Sequence, residues 1–231
     1  MSKYDYVRRL KRDAAAFVAV LERDALVGQI IRGEADRSEY VRFLIGTYHY
    51  VRWSGVLLAR TAEGLRRHGG SPALLALFAA KADEEAPHDR WVLEDLRRCG
   101  VNVELVKGEA PPPAVLGYVH SHLALADSGS VAFLGAAYLL EFASAARAHV
   151  AAENLRARRL VPNIERALSF LEGHGDADRG HVALLEAHLA ELEDVRGRVA
   201  IRGAAALLAA LFPLFFAGPR EAVDAPAGVA A

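Results

Sequence analysis

Three side chains able to bind a metal fall at helical spacing in HGDADRGH, residues 174–181: His174, Asp178 and His181. On an α-helix, positions i, i+4 and i+7 lie at roughly 0°, 40° and 340°, so one narrow stripe presents all three. Imidazole and carboxylate together suit iron, manganese or zinc. A solvated helix start would carry the same residue types, so the triad needs partners from other segments. Gly173, Gly175 and Gly180 each cost a helix about 1 kcal/mol relative to alanine. Glycines here serve either access, by loosening the helix, or close packing against a neighbour.

Two other segments supply partners. DEEAPHDRW offers Glu84, Glu85 and His88, with Glu85 and His88 at i, i+3 on one face. Carboxylate-x-x-His recurs in bundles that hold two irons. Glu85 is the glutamate that fits this spacing, and a charged helix surface is the alternative reading of the segment. Pro87 either kinks the helix and aims His88 or opens a new helix at its first turn. In SVAFLGAAYLLEFASAARA, Glu141 is the one charged residue between Asp127 and Arg147. Among so many apolar neighbours its carboxylate must be bound to metal, as a bridge, or paired with an arginine such as Arg52 or Arg60. Glu85, His88, Glu141, His174, Asp178 and His181 together make six ligands, about what two carboxylate-bridged metals require.

Other polar clusters say less. GTYHYVRW places Tyr48, His49, Tyr50, Arg52 and Trp53 mid-helix. Tyr48, Arg52 and Tyr138 are the candidates for shaping a substrate pocket, with Arg52 holding a carboxylate bidentately; ordinary aromatic core is the alternative. His120 and His122, at i, i+2, face apart and read, with Asp127, as helix surface.

The chain that must position these groups has 231 residues, enough for a real core, and a net charge of −1. Nothing in that balance marks nucleic acid or an anionic membrane as a partner. A single cysteine, Cys99, excludes an internal disulfide and fits a cytoplasmic protein. The N-terminus lacks the apolar stretch of a signal peptide. Helical periodicity dominates, which predicts an all-α bundle of about eight helices. These are a helix from Lys3 to Ile31, a second capped by Ser38 and running to RRHGG, and a third opening at Ser71-Pro72 and ending at CGVNVE. The loop VKGEAPPPA follows, then a short helix on VLGYVHSHLALA, one from Ser130 to Arg158, one from Pro162, the triad segment and an apolar terminal helix. Residues 1–218 form one domain and residues 219–231 a tail. The apolar run from Gly203 to Gly218 falls short of the ~20 residues that span a bilayer. It reads as a buried helix or a face for a second copy in a homodimer, with a membrane-surface anchor as the alternative.

The order and spacing of these motifs resemble the haem-oxygenase-like di-iron oxidases and oxygenases, the iron-containing redox enzymes. The resemblance spans roughly residues 38 to 215 and rests on YVRFLIGTYHYVRWSGVLL, DEEAPHDRWVLEDL, AAYLLEFASAARAHV and FLEGHGDADRGHVALLEAHLAEL. It implies a haem-oxygenase-like helical bundle with two non-haem irons that activate O2, fed by an electron donor. The substrate would be a small carboxylate-bearing metabolite, an amino acid or fatty acid. The six residues above would be the iron ligands, with Glu141 the catalytic bridge. Some members place a glutamate ligand seven residues before the histidine, where this chain has Lys81, and that leaves open the second metal and whether Glu84 or Glu85 is the ligand. The resemblance also extends to proteins without iron. A haem-binding relative needs a histidine in its first helix, and here none precedes His49. Thiaminase-like relatives use a cysteine nucleophile, and Cys99 is poorly placed for one. A metal-free oxidase and a non-catalytic helical scaffold are the rival readings.

Overall fold

The computed structural model describes the backbone of residues 3–217 and the side chains of residues 5–175 and 180–217. Those residues form α-helices joined by short turns, with no strand among them. Three of the long helices expected from periodicity are each divided in two, and two of the breaks have a local cause in Asp24 and Pro87. α1 (Lys3–Arg23) stops where the Asp24 carboxylate accepts the Leu26 and Val27 N–H groups, both at 2.9 Å, and so starts α2 (Val27–Arg32). α3 (Arg37–Val51) and α4 (Ser54–Arg67) part at Arg52 and Trp53. α5 (Pro72–Glu85) and α6 (His88–Arg98) part at Ala86 and Pro87.

The N-cap of α3 is Asp36, where Ser38 was expected. Asp36 accepts from the Glu39 N–H at 2.9 Å, and Glu39 accepts from the Asp36 N–H at 2.9 Å, a reciprocal capping box. Ser38 donates its hydroxyl to Asp36 instead. A further short helix, α7 (Val103–Gly108), is capped by Asn102 and occupies part of the expected loop. α8 (Pro113–Asp127), α9 (Phe133–Arg158), α10 (Ser169–Glu191) and α11 (Val195–Leu211) follow, the last continuing into a 3-10 segment, Phe212–Phe216.

α9 is the centre of the bundle. It packs on α1, α2, α10 and α11, which explains why its sequence is apolar around most of its circumference. A Cβ at Gly135 would lie 1.9 Å from the Ile201 carbonyl oxygen, so the missing side chain lets α11 press onto α9. Ile201, Ala204, Ala205 and Leu208 line the inner face of α11. Phe212, Phe215 and Phe216 then pack on Phe17, Tyr50, Tyr118 and Phe43. The apolar stretch is longer than the Gly203–Gly218 run: Val195–Phe216 has the length and hydropathy to cross a membrane. Its inner face nevertheless belongs to the core, while Val195 and Val199 are exposed.

Candidate metal centre

The triad helix is held at its first turn by the helix that carries His88. Asp95 of α6 is fully buried, and its two carboxylate oxygens accept the Ser169 and Phe170 N–H groups at 3.0 and 2.9 Å. It therefore caps α10 from another helix, where a negative charge is favoured. Burial is the dominant influence on Asp95 and raises its pKa despite these bonds and the nearby Arg98. His174 lies one turn beyond this cap. Two of the glycines serve close packing. A Cβ at Gly173 would meet the Trp91 ring at 2.7 Å, and one at Gly175 would meet the His149 ring at 2.8 Å. Gly180 has nothing within 4 Å.

Glu85 is the last residue of α5 and His88 the first of α6, so Pro87 breaks the hydrogen-bond ladder between two candidate ligands. The backbone stays near helical at Ala86 and Pro87, and the i, i+3 relation survives the break. Glu85 Oε2 lies 3.0 Å from His88 Nδ1. Ligand atoms of Glu85, His88 and His174 all lie within 4.8 Å of one another. The His174 Nδ1–H donates to the Phe170 carbonyl at 3.0 Å, which in the neutral ring leaves the lone pair on Nε2. His88 stacks on Trp91 at 4.3 Å, which fixes its plane. Burial pushes the Glu85 pKa up, but the His88 hydrogen bond and the charges of His88, His174 and Lys81 outweigh it and bring it below the usual value. Two imidazoles and a carboxylate converging from three helix segments form a donor set suited to ferrous iron.

The remaining predicted ligands form a different group. Glu141 is buried on α9, as its sequence context implied, but the cation beside it is Lys81 of α5, with Nζ 2.9 Å from Glu141 Oε1 and 3.5 Å from Glu84 Oε2. Neither Arg52 nor Arg60 is that partner: Arg52 lies over the Tyr48 and Trp53 rings, and Arg60 pairs with Asp127. Lys81 is only 4% exposed. Burial opposes its charge, yet Glu141, Glu84 and Glu85 together raise its pKa. His181 Nε2 lies 2.7 Å from Glu84 Oε1. Glu84 and Glu85, alternatives in the sequence, thus both reach the centre and face different partners. The Asp178 side chain lies outside the described residues.

A cavity of about 150 Å³ opens beside both groups. Lys81, Glu85, Glu141 and His174 line one part of it, and Phe17, Leu21, Ile30, Phe43, Leu140 and Phe212 supply much of the apolar wall. The residues expected to shape the pocket do not line it. Tyr48 packs against His49 and Arg52, and Tyr138 donates its hydroxyl to Glu186 at 2.7 Å. Tyr50 and Ser54 from the same stretch do line it, as does Arg147, which pairs with Glu22 at 2.5 Å. Sequence reasoning missed Arg147 because it sits past the apolar run of α9. It lies six residues after Glu141, about 240° round the helix, so no shared face with Glu141 marked it. His122 is buried, not on the surface, and its Nδ1 bonds the Tyr118 carbonyl at 2.8 Å. Cys99 is buried and away from the cavity, and burial drives its thiol pKa up to about 12.

Comparison with solved structures gives the fold. A domain of unknown function with a haem-oxygenase-like fold from Shewanella denitrificans superposes with a TM-score of 0.78 at 18% identity, covering 91% of this chain and 90% of that one. A TenA homologue from Pseudomonas syringae pv. tomato gives 0.73 at 16% identity, covering 94% and 92%. The TenA homologue from P. horikoshii gives 0.72 at 16% identity, covering 95% and 100%. No curated protein matches the chain. The sequence profile of the iron-containing redox enzymes matches residues 41–212, a span that holds both groups of polar residues. The chain is a haem-oxygenase-like all-α bundle and belongs to the iron-containing redox enzyme family.

Proposed function

We propose that the protein is an O2-dependent, non-haem iron oxidase or oxygenase acting on a small metabolite with an apolar body and a carboxylate. The observation that carries this reading is the convergence of Glu85, His88 and His174 at the wall of a mostly apolar cavity. Those three residues would hold the iron. When bound, ferrous iron supplies the electrons for O2 activation, and an external donor restores them. The apolar wall excludes water and takes the body of the substrate. Arg147 at the cavity wall can exchange its Glu22 partner for a substrate carboxylate, the role expected of Arg52. Phe170 keeps His174 in its ligating tautomer through the backbone carbonyl, and Trp91 keeps the His88 ring in place.

Cysteine chemistry, the alternative of thiaminase-like relatives, finds no support in the buried Cys99, whose thiol burial pushes up to about 12. Anaerobic titration with ferrous iron, followed by O2 uptake measurements across a panel of carboxylic and amino acids, tests the proposal. Stoichiometric iron and substrate-stimulated O2 uptake, both lost in His174→Ala, are expected. A protein that takes up no iron refutes it.

A further inference from the structure

We propose that Lys81 is a built-in cation at the second metal position of this centre, so that the chain binds one divalent ion, on Glu85, His88 and His174, and not a carboxylate-bridged pair. The inference rests on the iron reading above and narrows it.

Its basis is the pairing pattern. Glu141, Glu84 and His181 are residues from which a second ion would be built, and they already surround an ammonium. Lys81 Nζ is 2.9 Å from Glu141 Oε1 and 3.5 Å from Glu84 Oε2, and His181 Nε2 is 2.7 Å from Glu84 Oε1. The lysine is not a surface residue folded inward by chance. It lies one turn before Glu85 on α5, only 4% exposed, at the wall of the same cavity. A buried ammonium needs opposite charge close by, and two carboxylates supply it. A dication held by Glu84, Glu141 and His181 would lie within a few ångströms of that ammonium and would have to expel it. The lysine would then be left buried without its counter-charge. The other group is paired differently: Glu85 bonds His88 at 3.0 Å and the candidate ligand atoms of Glu85, His88 and His174 lie within 4.8 Å of one another, while among the described residues the Lys81 ammonium sits against Glu141 and Glu84. Charge therefore assigns the ion to one group and the lysine to the other. Three protein ligands on one ion leave coordination positions open towards the cavity.

Metal counting with Mn(II) alone as the probe tests this without relying on turnover. Each protein is saturated with Mn(II), desalted and counted by mass spectrometry, and the spin state is read by electron paramagnetic resonance. Wild type is expected to hold one Mn(II) per chain with the six-line spectrum of an isolated ion. Lys81→Glu, which replaces the ammonium with a carboxylate, is expected to hold two, with the isolated signal lost to coupling between them. Lys81→Met keeps an apolar stem, guards against a misfolded glutamate variant, and is expected to retain a second Mn(II) where wild type retains one. Two coupled ions in wild type overturn the lysine assignment and leave the iron reading intact. One ion in both variants, with native circular dichroism, overturns the assignment as well. No ion in wild type overturns the iron reading and this inference with it.

Discussion

Adjacent glutamates on one helix end in opposite electrostatic settings. Glu85 faces His88 and His174, with candidate ligand atoms within 4.8 Å of one another, and Lys81 acts on it as a nearby charge without forming an ion pair among the described residues. Glu84, one residue earlier, faces His181 and the ammonium that also neutralises Glu141. A rotation of about 100° between neighbours separates the two settings. The contrast separates two constraints: ligand types and spacing define where a metal could go, and under the proposal above local charge balance selects between the two positions. At about 4 Å and an effective dielectric of 20, a dication and an ammonium repel by about 8 kcal/mol. That is more than most single interactions contribute to a folded domain.

The largest effect should come from breaking the first group. His174→Ala should weaken Mn(II) or Fe(II) binding by more than about 100-fold, read by anaerobic calorimetry, since outer partners alone account for 10–100-fold. His181→Ala should change the affinity by less than 10-fold. Equal losses in the two variants would erase the distinction between the groups.

Asp95→Ala should come next. It removes a buried acceptor from two N–H groups at the start of α10, a loss of about 2–3 kcal/mol in urea denaturation. Metal affinity should fall with it, because the cap sets the position of His174. Unchanged stability would show that α10 is positioned by packing alone.

The glycines sharpen the comparison along α10 itself. Gly175→Ala would place a methyl 2.8 Å from the His149 ring and should destabilise by about 1–2 kcal/mol despite the helix preference for alanine. Gly180→Ala meets nothing within 4 Å and should stabilise by about 0.5–1 kcal/mol. Thermal melts of the two variants moving in the same direction would contradict the assignment of Gly175 to close packing.

The smallest effect is a pH dependence outside the metal centre. Burial, with Arg52 close by, pushes the His49 pKa down to about 4 from an ordinary value near 6.5. The unfolded chain therefore protonates first on acidification. The neutral, folded histidine contributes its full stability above pH 6.5 and loses it as the pH falls towards 4, at up to about 1.4 kcal/mol per pH unit. His122 shifts the same way. Stability profiles between pH 4 and 7 should be flatter for His49→Gln than for wild type. Parallel profiles would place the acid sensitivity elsewhere.

Much of this was legible in the sequence, for identifiable reasons. The helical class follows from periodicity, and the burial of Glu141 follows from its apolar neighbours on both sides. Glu85, His88 and His174, which the structure brings together, could be named as candidates because ligand chemistry restricts residue types and one helix face restricts spacing. The three helix breaks were harder to read. Asp24 caps through a side chain that looks like an ordinary surface carboxylate, the break at Arg52 and Trp53 has no side-chain cap at all, and only Pro87 announces itself. The partner of Glu141 was not legible at all. Lys81 lies 60 positions away on another helix, and a lysine in a charged segment reads as solvent-facing. The pocket was misplaced for a similar reason. Tyr48 and Arg52 share a helix face with each other but not with the cavity, whereas Tyr50 and Ser54 line it. Which face of α3 looks inward depends on contacts with α6, α8 and the terminal Phe212–Phe216 turn, which no local pattern encodes.

Anomalous diffraction at the iron edge, from crystals soaked anaerobically in ferrous salt, tests the central claim most directly. The account predicts one peak per chain, within bonding distance of Glu85, His88 and His174, with Lys81 still paired to Glu141. Two peaks bridged by Glu141, or a single peak between Glu84 and His181, would contradict it.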